Sequence, residues 1–89
     1  MFPSFRVFNR LKINRRGEIE REDISSSNLE SQGYSERWKI LEIEFQHSGE
    51  VYRYFGISKR VYEDMLNGHT PGQFFYHHIR KKFPYVRVQ

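Results

Sequence analysis

The sequence predicts an α+β fold, in which a three-stranded antiparallel β-sheet is followed by two helices packed on one face. Leu41, Ile43 and Phe45 alternate with polar side chains, which is the period-two pattern of a half-buried strand. Later in the chain, Ser or Thr before an apolar segment and Gly or Pro after it mark two helices. The length of 89 residues is that of one small domain.

The first 24 residues are predicted to form a basic N-terminal extension, here called the arm, ahead of a domain over residues 25–89. The boundary lies where a charged stretch meets three consecutive serines at 25–27. Residues 1–16 contain five basic residues and no acidic residue. Phe5, Phe8 and Leu11 fit a short helix, whereas Leu11 and Ile13 fit a strand, and both assignments stay open. Residues 1–22 are expected to be dispensable for folding, because the clear strand and helix signals lie later.

Three strands are predicted after the arm. The first covers residues 29–34 and ends at a polar turn over 35–37. The second covers residues 41–46, and the third covers residues 51–55, which are mostly β-branched or aromatic. Residues 47–50 indicate a hairpin turn between the second and third strands, with Gly49 available for a positive φ angle.

The first helix is predicted to begin after Ser58, a good N-cap residue. Val61, Tyr62, Met65 and Leu66 form its apolar face. Gly68 is expected to end it in the left-handed conformation that glycine tolerates.

The second helix has a stronger start signal. Residues 70–73 place Thr at the N-cap, Pro at the first helical position and Gln at the third, which is the pattern of a capping box. Phe75 and Ile79 form its buried stripe. The helix is expected to run to about Lys82, since Pro84 cannot continue it. A short apolar tail follows over residues 85–88.

Composition excludes several classes of protein. No apolar segment approaches the ~20 residues of a membrane-spanning helix, and the N-terminus lacks a signal-peptide pattern, so a soluble, cytoplasmic protein without a membrane partner is expected. The absence of cysteine removes disulfides, thiolate nucleophiles and cysteine-ligated metals. The net charge of +4 is concentrated at the two ends of the chain, which suggests a polyanionic partner.

No catalytic or metal-binding pattern is present, and we predict a non-enzyme without cofactor or metal. The serines at 25–27 have no nearby histidine to act as a base. The four histidines lack ligand spacing, and adjacent His77 and His78 diverge by about 100° on a helix. Ser26 and Ser27 are expected to cap backbone amides at the first strand. Contact with a bound anion is the alternative for both.

Residues 25 to about 88 resemble the KTSC domain, a module found at the C-terminus of some lysyl-tRNA synthetases and as a stand-alone bacterial or phage protein. The resemblance implies an α+β fold, no known enzymatic activity, and a role in RNA binding suggested by attachment to a synthetase. Tyr76 departs from the pattern, which often has asparagine there, and the arm lies outside it. The matching features are Ser26-Ser27-Asn28-Leu29, Gly33-Tyr34, Leu41-x-Ile43-x-Phe45, Gly49 with Val51-Tyr52-Arg53-Tyr54, Val61-Tyr62 with Leu66, and Gly72-x-x-Phe75 leading to Ile79 and Phe83-Pro84-Tyr85.

The second helix carries the candidate nucleic-acid-binding residues. Tyr76 with Arg80, and His77 with Lys81, have the i, i+4 spacing that places side chains together on the outward face. Cations interleaved with an aromatic ring suit phosphate contacts and base stacking. A solvated helix face with cations near its C-terminus is the alternative. The full set of candidates is Tyr76, His77, Arg80, Lys81, Lys82, Arg87, Arg15 and Arg16.

Two tyrosines on the third strand have two possible roles. Tyr52 and Tyr54 point to the same side, because side chains alternate along a strand. They are either core residues under the helices, which we favour, or a platform on which bases stack. Arg53 points to the opposite face and is expected to pair with Glu42 or Glu44.

These patterns favour a small binding module that recognises nucleic acid, RNA in particular. One alternative is a protein-interaction adaptor or inhibitor, of phage type, that docks through exposed aromatic side chains. A further alternative is a small-anion or nucleotide-binding protein that uses Ser26, Ser27 and nearby cations.

Overall fold

The computed structural model describes residues 18–89, and the predictions for residues 1–17 lie outside this part of the chain. Over residues 18–89 the α+β class is confirmed, with two helices and one antiparallel sheet in the order β1-β2-β3-β4-β5. The sheet has five strands and not the predicted three. The elements, in chain order, are β1 (Glu22–Asp23), β2 (Leu29–Ser35), β3 (Ile40–Phe45), β4 (Val51–Phe55), α1 (Lys59–Asn67), α2 (Pro71–His78) and β5 (Tyr85–Arg87).

The two strands that the sequence did not predict are the short outer ones. β1 has two residues and pairs with β2, and β5 has three residues and pairs with β4. Neither is long enough to show an alternating pattern, so its sequence carries no strand signal. β5 forms because the chain returns from α2 along the free edge of β4, where Tyr85 lies opposite Tyr54.

The hydrophobic core lies between one face of the sheet and the two helices. Tyr34 closes one end of this core, since its ring stacks on Tyr62 at 4.3 Å and its hydroxyl donates to the Ile57 carbonyl at 2.6 Å. The buried core residues, drawn from β2, β3, β4, both helices and adjoining segments, are Leu29, Tyr34, Leu41, Ile43, Tyr54, Ile57, Met65, Phe75 and Ile79.

The opposite face of the sheet carries a charged network centred on Glu42. The Glu42 side chain is only 4% exposed, and its carboxylate accepts hydrogen bonds from Arg21 and, at 2.7 Å, from Arg53 Nε. Arg21 Nε also donates to Ser31 Oγ at 2.9 Å, and that hydroxyl donates to Glu44 at 2.7 Å. The predicted pairing of Arg53 with Glu42 is confirmed. Two guanidinium groups offset the cost of burying this carboxylate.

Part of the predicted arm packs on this face. Ile19 is buried, and a Cβ atom added to Gly33 would lie 2.8 Å from Ile19 Cγ2 and closer still to the Glu20 carbonyl oxygen. Residues 19–20 therefore lie directly on the backbone of β2. This packing and the Arg21 bonds argue against dispensability for residues 19–22, and the expectation that residues 1–22 are dispensable for folding stays a prediction. The boundary between residues 24 and 25 stays a prediction.

The ends of the helices match the predictions only in part. Ser58 caps α1 as predicted, accepting from the Val61 N–H at 3.2 Å, and Gly49 has the expected positive φ of 72°. The predicted capping box is wrong, since Thr70 forms no side-chain capping hydrogen bond. Gly68 ends α1 in an extended conformation, with φ of −80°, and not in the left-handed one.

The second helix is shorter than predicted, because α2 ends at His78 and residues 79–82 form turns. Ile79 leaves helical geometry with φ of −121°. The N–H groups of Ile79 and Arg80 both donate to the Phe75 carbonyl, at 3.0 and 2.9 Å. Neither helix in residues 18–89 has the length and apolarity that a membrane crossing requires.

Two truncated variants should separate the structural part of the arm from the rest. A chain that starts at Ser25 should be about 2–4 kcal/mol less stable than one that starts at Glu18, because it lacks buried Ile19 and leaves Glu42 with one arginine fewer. Urea denaturation followed by circular dichroism measures the difference. Equal midpoints for the two variants would contradict the packing role of residues 19–23.

A second prediction concerns Gly33. Gly33→Ala should cost about 1–3 kcal/mol, because its methyl group would force residues 19–20 away from β2. Gly68→Ala is the matched control, since its Cβ would meet the Asp64 carbonyl at an ordinary 3.6 Å. Thermal unfolding of both variants beside the wild type tests this, and a Gly33→Ala protein as stable as Gly68→Ala would rule it out.

Candidate functional site

A groove of about 630 Å³ opens on the helix-bearing side of the molecule, between the β3–β4 turn, β4, β5 and the segment after α2. Aromatic side chains dominate its wall, and cations and turn residues line its rim. We call it the tyrosine groove. Its lining residues are Tyr52, Tyr54, Tyr76, Tyr85, Phe45 and Phe83, with Arg80, Lys81, Asn28, His47, Ser48 and Glu50.

The pairing of β4 with β5 brings three of the tyrosines together. Tyr52 and Tyr54 lie on the same face of β4, and Tyr85 is directly opposite Tyr54 on β5. The ring of Tyr85 lies 5.6 Å from that of Tyr52 and 5.5 Å from that of Tyr54. α2 adds Tyr76 from the other side, in edge contact with Phe75 of the core. Sheet and helix thus each supply part of the wall.

Exposure increases from the floor of the groove to its rim. Tyr54 is 2% exposed and forms the floor, Tyr52 and Tyr76 are half-buried, and Tyr85 is 55% exposed. Burial raises the pKa of Tyr54 to about 12, although the positive charge of Arg80 acts in the opposite direction. A phenol is already protonated at neutral pH at its ordinary pKa, and this shift extends that state to higher pH, so Tyr54 offers an O–H group.

Two cations stand at the rim of the groove. The Arg80 guanidinium lies 5.1 Å from the centre of the Tyr76 ring, a cation–π arrangement, and Lys81 follows it. Both side chains are exposed, and neither forms a salt bridge within residues 18–89. Arg87, by contrast, is engaged with Glu50 at 3.4 Å and with the Gln89 carbonyl at 3.1 Å. Arg80 and Lys81 are the cations that a ligand in the groove would meet.

The structure separates the predicted nucleic-acid-binding residues into groups. Tyr76 and Arg80 meet as their spacing predicted, and Lys81 joins them at the groove. His77 and Lys82 are exposed but do not line the groove. Arg15 and Arg16 lie outside the described residues. The sequence predicted that these residues lie on the outward face of one helix. Because the helix ends at His78, Arg80 and Lys81 instead lie with Tyr76 at the groove.

The two tyrosines of β4 have different positions, although one strand face carries both. Tyr54 is a core residue, in edge contact with Phe75 at 5.1 Å. Tyr52 packs edge-on against Phe45 at 5.6 Å and keeps part of its ring at the groove. The core interpretation that we favoured therefore describes Tyr54 fully and Tyr52 in part.

Ser26 has a structural role at the start of β2. Its Oγ accepts from the N–H groups of Asn28 and Leu29, both at 3.2 Å. A Cβ on Gly72 would lie 2.5 Å from the same oxygen, so α2 packs tightly on this turn. Ser26 therefore forms the capping bonds that the sequence predicted. Ser27 is exposed and does not line the groove.

Sequence reasoning missed several groove residues. Tyr85 was predicted only as part of the apolar tail, and Phe83 only as a neighbour of the buried stripe of the second helix. Their one further signal was membership of the KTSC-like pattern around Pro84. Phe45 was predicted as a strand residue, and the β3–β4 turn was predicted only as a connection. Nothing local indicates that this turn supplies Glu50, which also lies 3.4 Å from the Tyr52 hydroxyl.

The opposite face of the sheet holds a concavity of about 940 Å³ with a different character. It is rich in carboxylates, including Glu18, Glu20, Asp23 and Glu30, besides the network of Glu42 with Arg21 and Arg53. In residues 18–89, no group of three or more histidine, aspartate or glutamate side chains is arranged to hold a metal ion. The two faces of the sheet are thus distinct, one aromatic with a cationic rim and one acidic.

Comparisons with known proteins agree with this fold. The KTSC domain family model matches residues 25–83. A protein of Stutzerimonas stutzeri (strain A1501), described as uncharacterized, is 37% identical over 57 residues, which are 64% of this chain and 79% of that protein. The crystal structure of a KTSC domain protein from Yersinia pestis matches with a TM-score of 0.74 and 31% identity, over 79% of this chain and 97% of the other. The resemblance seen in the sequence is therefore confirmed, and the chain belongs to the KTSC domain family.

Proposed function

We propose that this protein is a non-catalytic module that binds single-stranded nucleic acid, RNA in particular, in the tyrosine groove. The observation that carries the proposal is the stacking of Arg80 on Tyr76 at the rim of a groove that three further tyrosines line. Proteins bind single strands by combining cations that contact phosphates with aromatic rings on which bases stack.

The groove has a suitable size and a suitable arrangement of groups. Its volume of about 630 Å³ lies within the range of small-ligand pockets, so it suits about one or two nucleotides. Tyr85, 55% exposed, offers the most accessible ring surface for a base. Tyr54 is too deeply buried to stack, and its protonated hydroxyl instead suits a hydrogen bond from the floor.

The distribution of charge supports one orientation for a polyanion. From residue 65 to residue 89 the chain has no acidic residue, and Arg80 and Lys81 stand at the groove. The opposite face of the sheet is acidic and would repel phosphates. A nucleic acid would therefore approach from the side of α2 and β5. The proposal fits the cytoplasmic location expected from composition.

A protein-interaction adaptor is the second candidate, and one observation favours it. The outer strand β5 exposes Val86, and the chain next to it exposes Val88, at 49% and 46%. An edge strand with exposed apolar side chains can add a strand from a partner protein. Binding of this kind depends weakly on salt, whereas contacts with phosphates depend on it steeply.

Replacing Arg80 tests the phosphate contact. Arg80→Gln should weaken binding of a single-stranded RNA tetranucleotide of any sequence and reduce the slope of log affinity against log salt by about 0.7. Arg60→Gln, which removes an exposed arginine from α1, is the matched control and should leave the slope unchanged. Fluorescence anisotropy at several salt concentrations measures both variants. The proposal fails if the wild type does not bind at low salt, or if both variants retain the wild-type slope.

Replacing Tyr85 tests the stacking contact. Tyr85→Ala should weaken binding of the same tetranucleotide by ~1–3 kcal/mol, the typical loss of one base–aromatic stack. Its melting temperature should change little, since the side chain is more than half exposed. Val86→Ala on the other face of β5 is the control and should bind as the wild type does. If Tyr85→Ala and Val86→Ala bind the tetranucleotide with equal affinity, Tyr85 does not contact the RNA.

A further inference from the structure

The turn between β2 and β3 exposes the only tryptophan of the chain. Trp38 is 57% exposed, which makes it the most exposed large hydrophobic side chain in residues 18–89. Tryptophan is large enough that it is usually well buried in small domains. Neither the predicted functions nor the tyrosine groove uses this residue.

The backbone of this turn is held in place. Ser35 Oγ accepts from the Trp38 N–H at 3.2 Å, and the Lys39 carbonyl accepts from the Ile57 N–H at 2.9 Å. Lys39 has a positive φ of 56°, which is uncommon for a residue other than glycine. A ring displayed on a fixed backbone loses little further freedom when a ligand stacks on it.

One cation lies over the indole ring, and a second follows it in the sequence. The Arg37 guanidinium lies 5.1 Å from the ring centre, and Lys39 follows Trp38 in the turn. Arg37 and Lys39 form no salt bridge within residues 18–89, whereas the turn's acidic residue, Glu36, has Lys59 at 3.7 Å. An aromatic ring with one cation over its face and a second cation beside it in the sequence resembles the combination at the rim of the tyrosine groove.

We propose that Trp38 and its two flanking cations form a second stacking site, which takes a base of the same single strand that occupies the tyrosine groove. This inference rests on the proposed function. Trp38 is an isolated exposed ring on its turn. The other exposed large hydrophobic side chains of residues 18–89 lie on α1 and in the β5 segment, so the turn lacks the apolar patch that a protein partner would need.

The geometry sets the length of strand that reaches both sites. The turn of Trp38 precedes β3, and the turn that lines the far end of the groove follows it, so the six residues of β3 separate Trp38 from that far end. At ~3.4 Å per residue, this separation is on the order of 17–20 Å. The near end, at Tyr54 opposite Leu41, lies closer. A stacked strand rises ~3.4 Å per nucleotide, so about six nucleotides span the full distance, and a strand whose bases are spread over separate protein rings needs fewer.

Binding of two RNA lengths tests this inference, because the 12-mer spans the whole groove together with Trp38 and the 4-mer spans only part of that length. The 89-residue wild type, Trp38→Ala and Trp38→Tyr are titrated with single-stranded RNA of 4 and 12 nucleotides, and circular dichroism checks that each variant is folded. Trp38→Ala should bind the 12-mer about 5- to 150-fold more weakly, binding of the 4-mer should be less affected, and Trp38→Tyr should recover most of the loss. In the wild type, the 12-mer should quench tryptophan fluorescence more than the 4-mer does.

The outcomes separate this inference from the proposed function. Suppose that Trp38→Ala binds the 12-mer with wild-type affinity while Arg80→Gln binds the 4-mer more weakly than the wild type does. The groove is then supported as a binding site, and the second site at Trp38 is overturned. If the wild type binds neither RNA, both proposals are overturned. A blue shift of Trp38 emission with anionic lipid vesicles, without any response to RNA, would overturn the stacking site in favour of a membrane contact.

Discussion

The register of β4 between β3 and β5 is the constraint on which the groove and much of the core depend. Tyr54 lies opposite Leu41 on one side and Tyr85 on the other, which turns its ring toward Phe75 of α2. The same register leaves Tyr52 and Tyr85 at the edge of the covered area. A shift by one residue would exchange the two faces and place Arg53 in the core.

The face of the sheet opposite the helices is also partly buried, because residues 19–21 pack on it. Glu42 is nearly inaccessible there, yet Arg21 and Arg53 satisfy its carboxylate from two different chain segments. Ile19 packs beside this network against Gly33, where a larger residue would not fit. The acidic character of this face leaves the cation-rimmed side as the surface suited to an anionic ligand.

Membership of the KTSC family establishes the fold of this chain, while its ligand has to be argued from its own side chains. The groove combines a buried phenol, exposed ring surface and two cations without a salt bridge in residues 18–89. The Trp38 turn repeats the combination of ring and cations elsewhere. If both proposed sites bind one ligand, that ligand has repeated units, and a single-stranded nucleic acid has this property.

The sequence alone determined the elements whose signals repeat within a few residues: the alternation in β3, the Ser58 cap and the meeting of Tyr76 with Arg80. Only the tertiary structure decided the rest. β5, the burial of Glu42 and the exposure of Trp38 all depend on segments far apart in the chain. A short outer strand forms only where the tertiary fold brings a chain segment alongside a free edge, and burial depends on what packs above a residue. Neither the pairing of a short outer strand nor the burial of a single residue produces a periodic pattern in the local sequence.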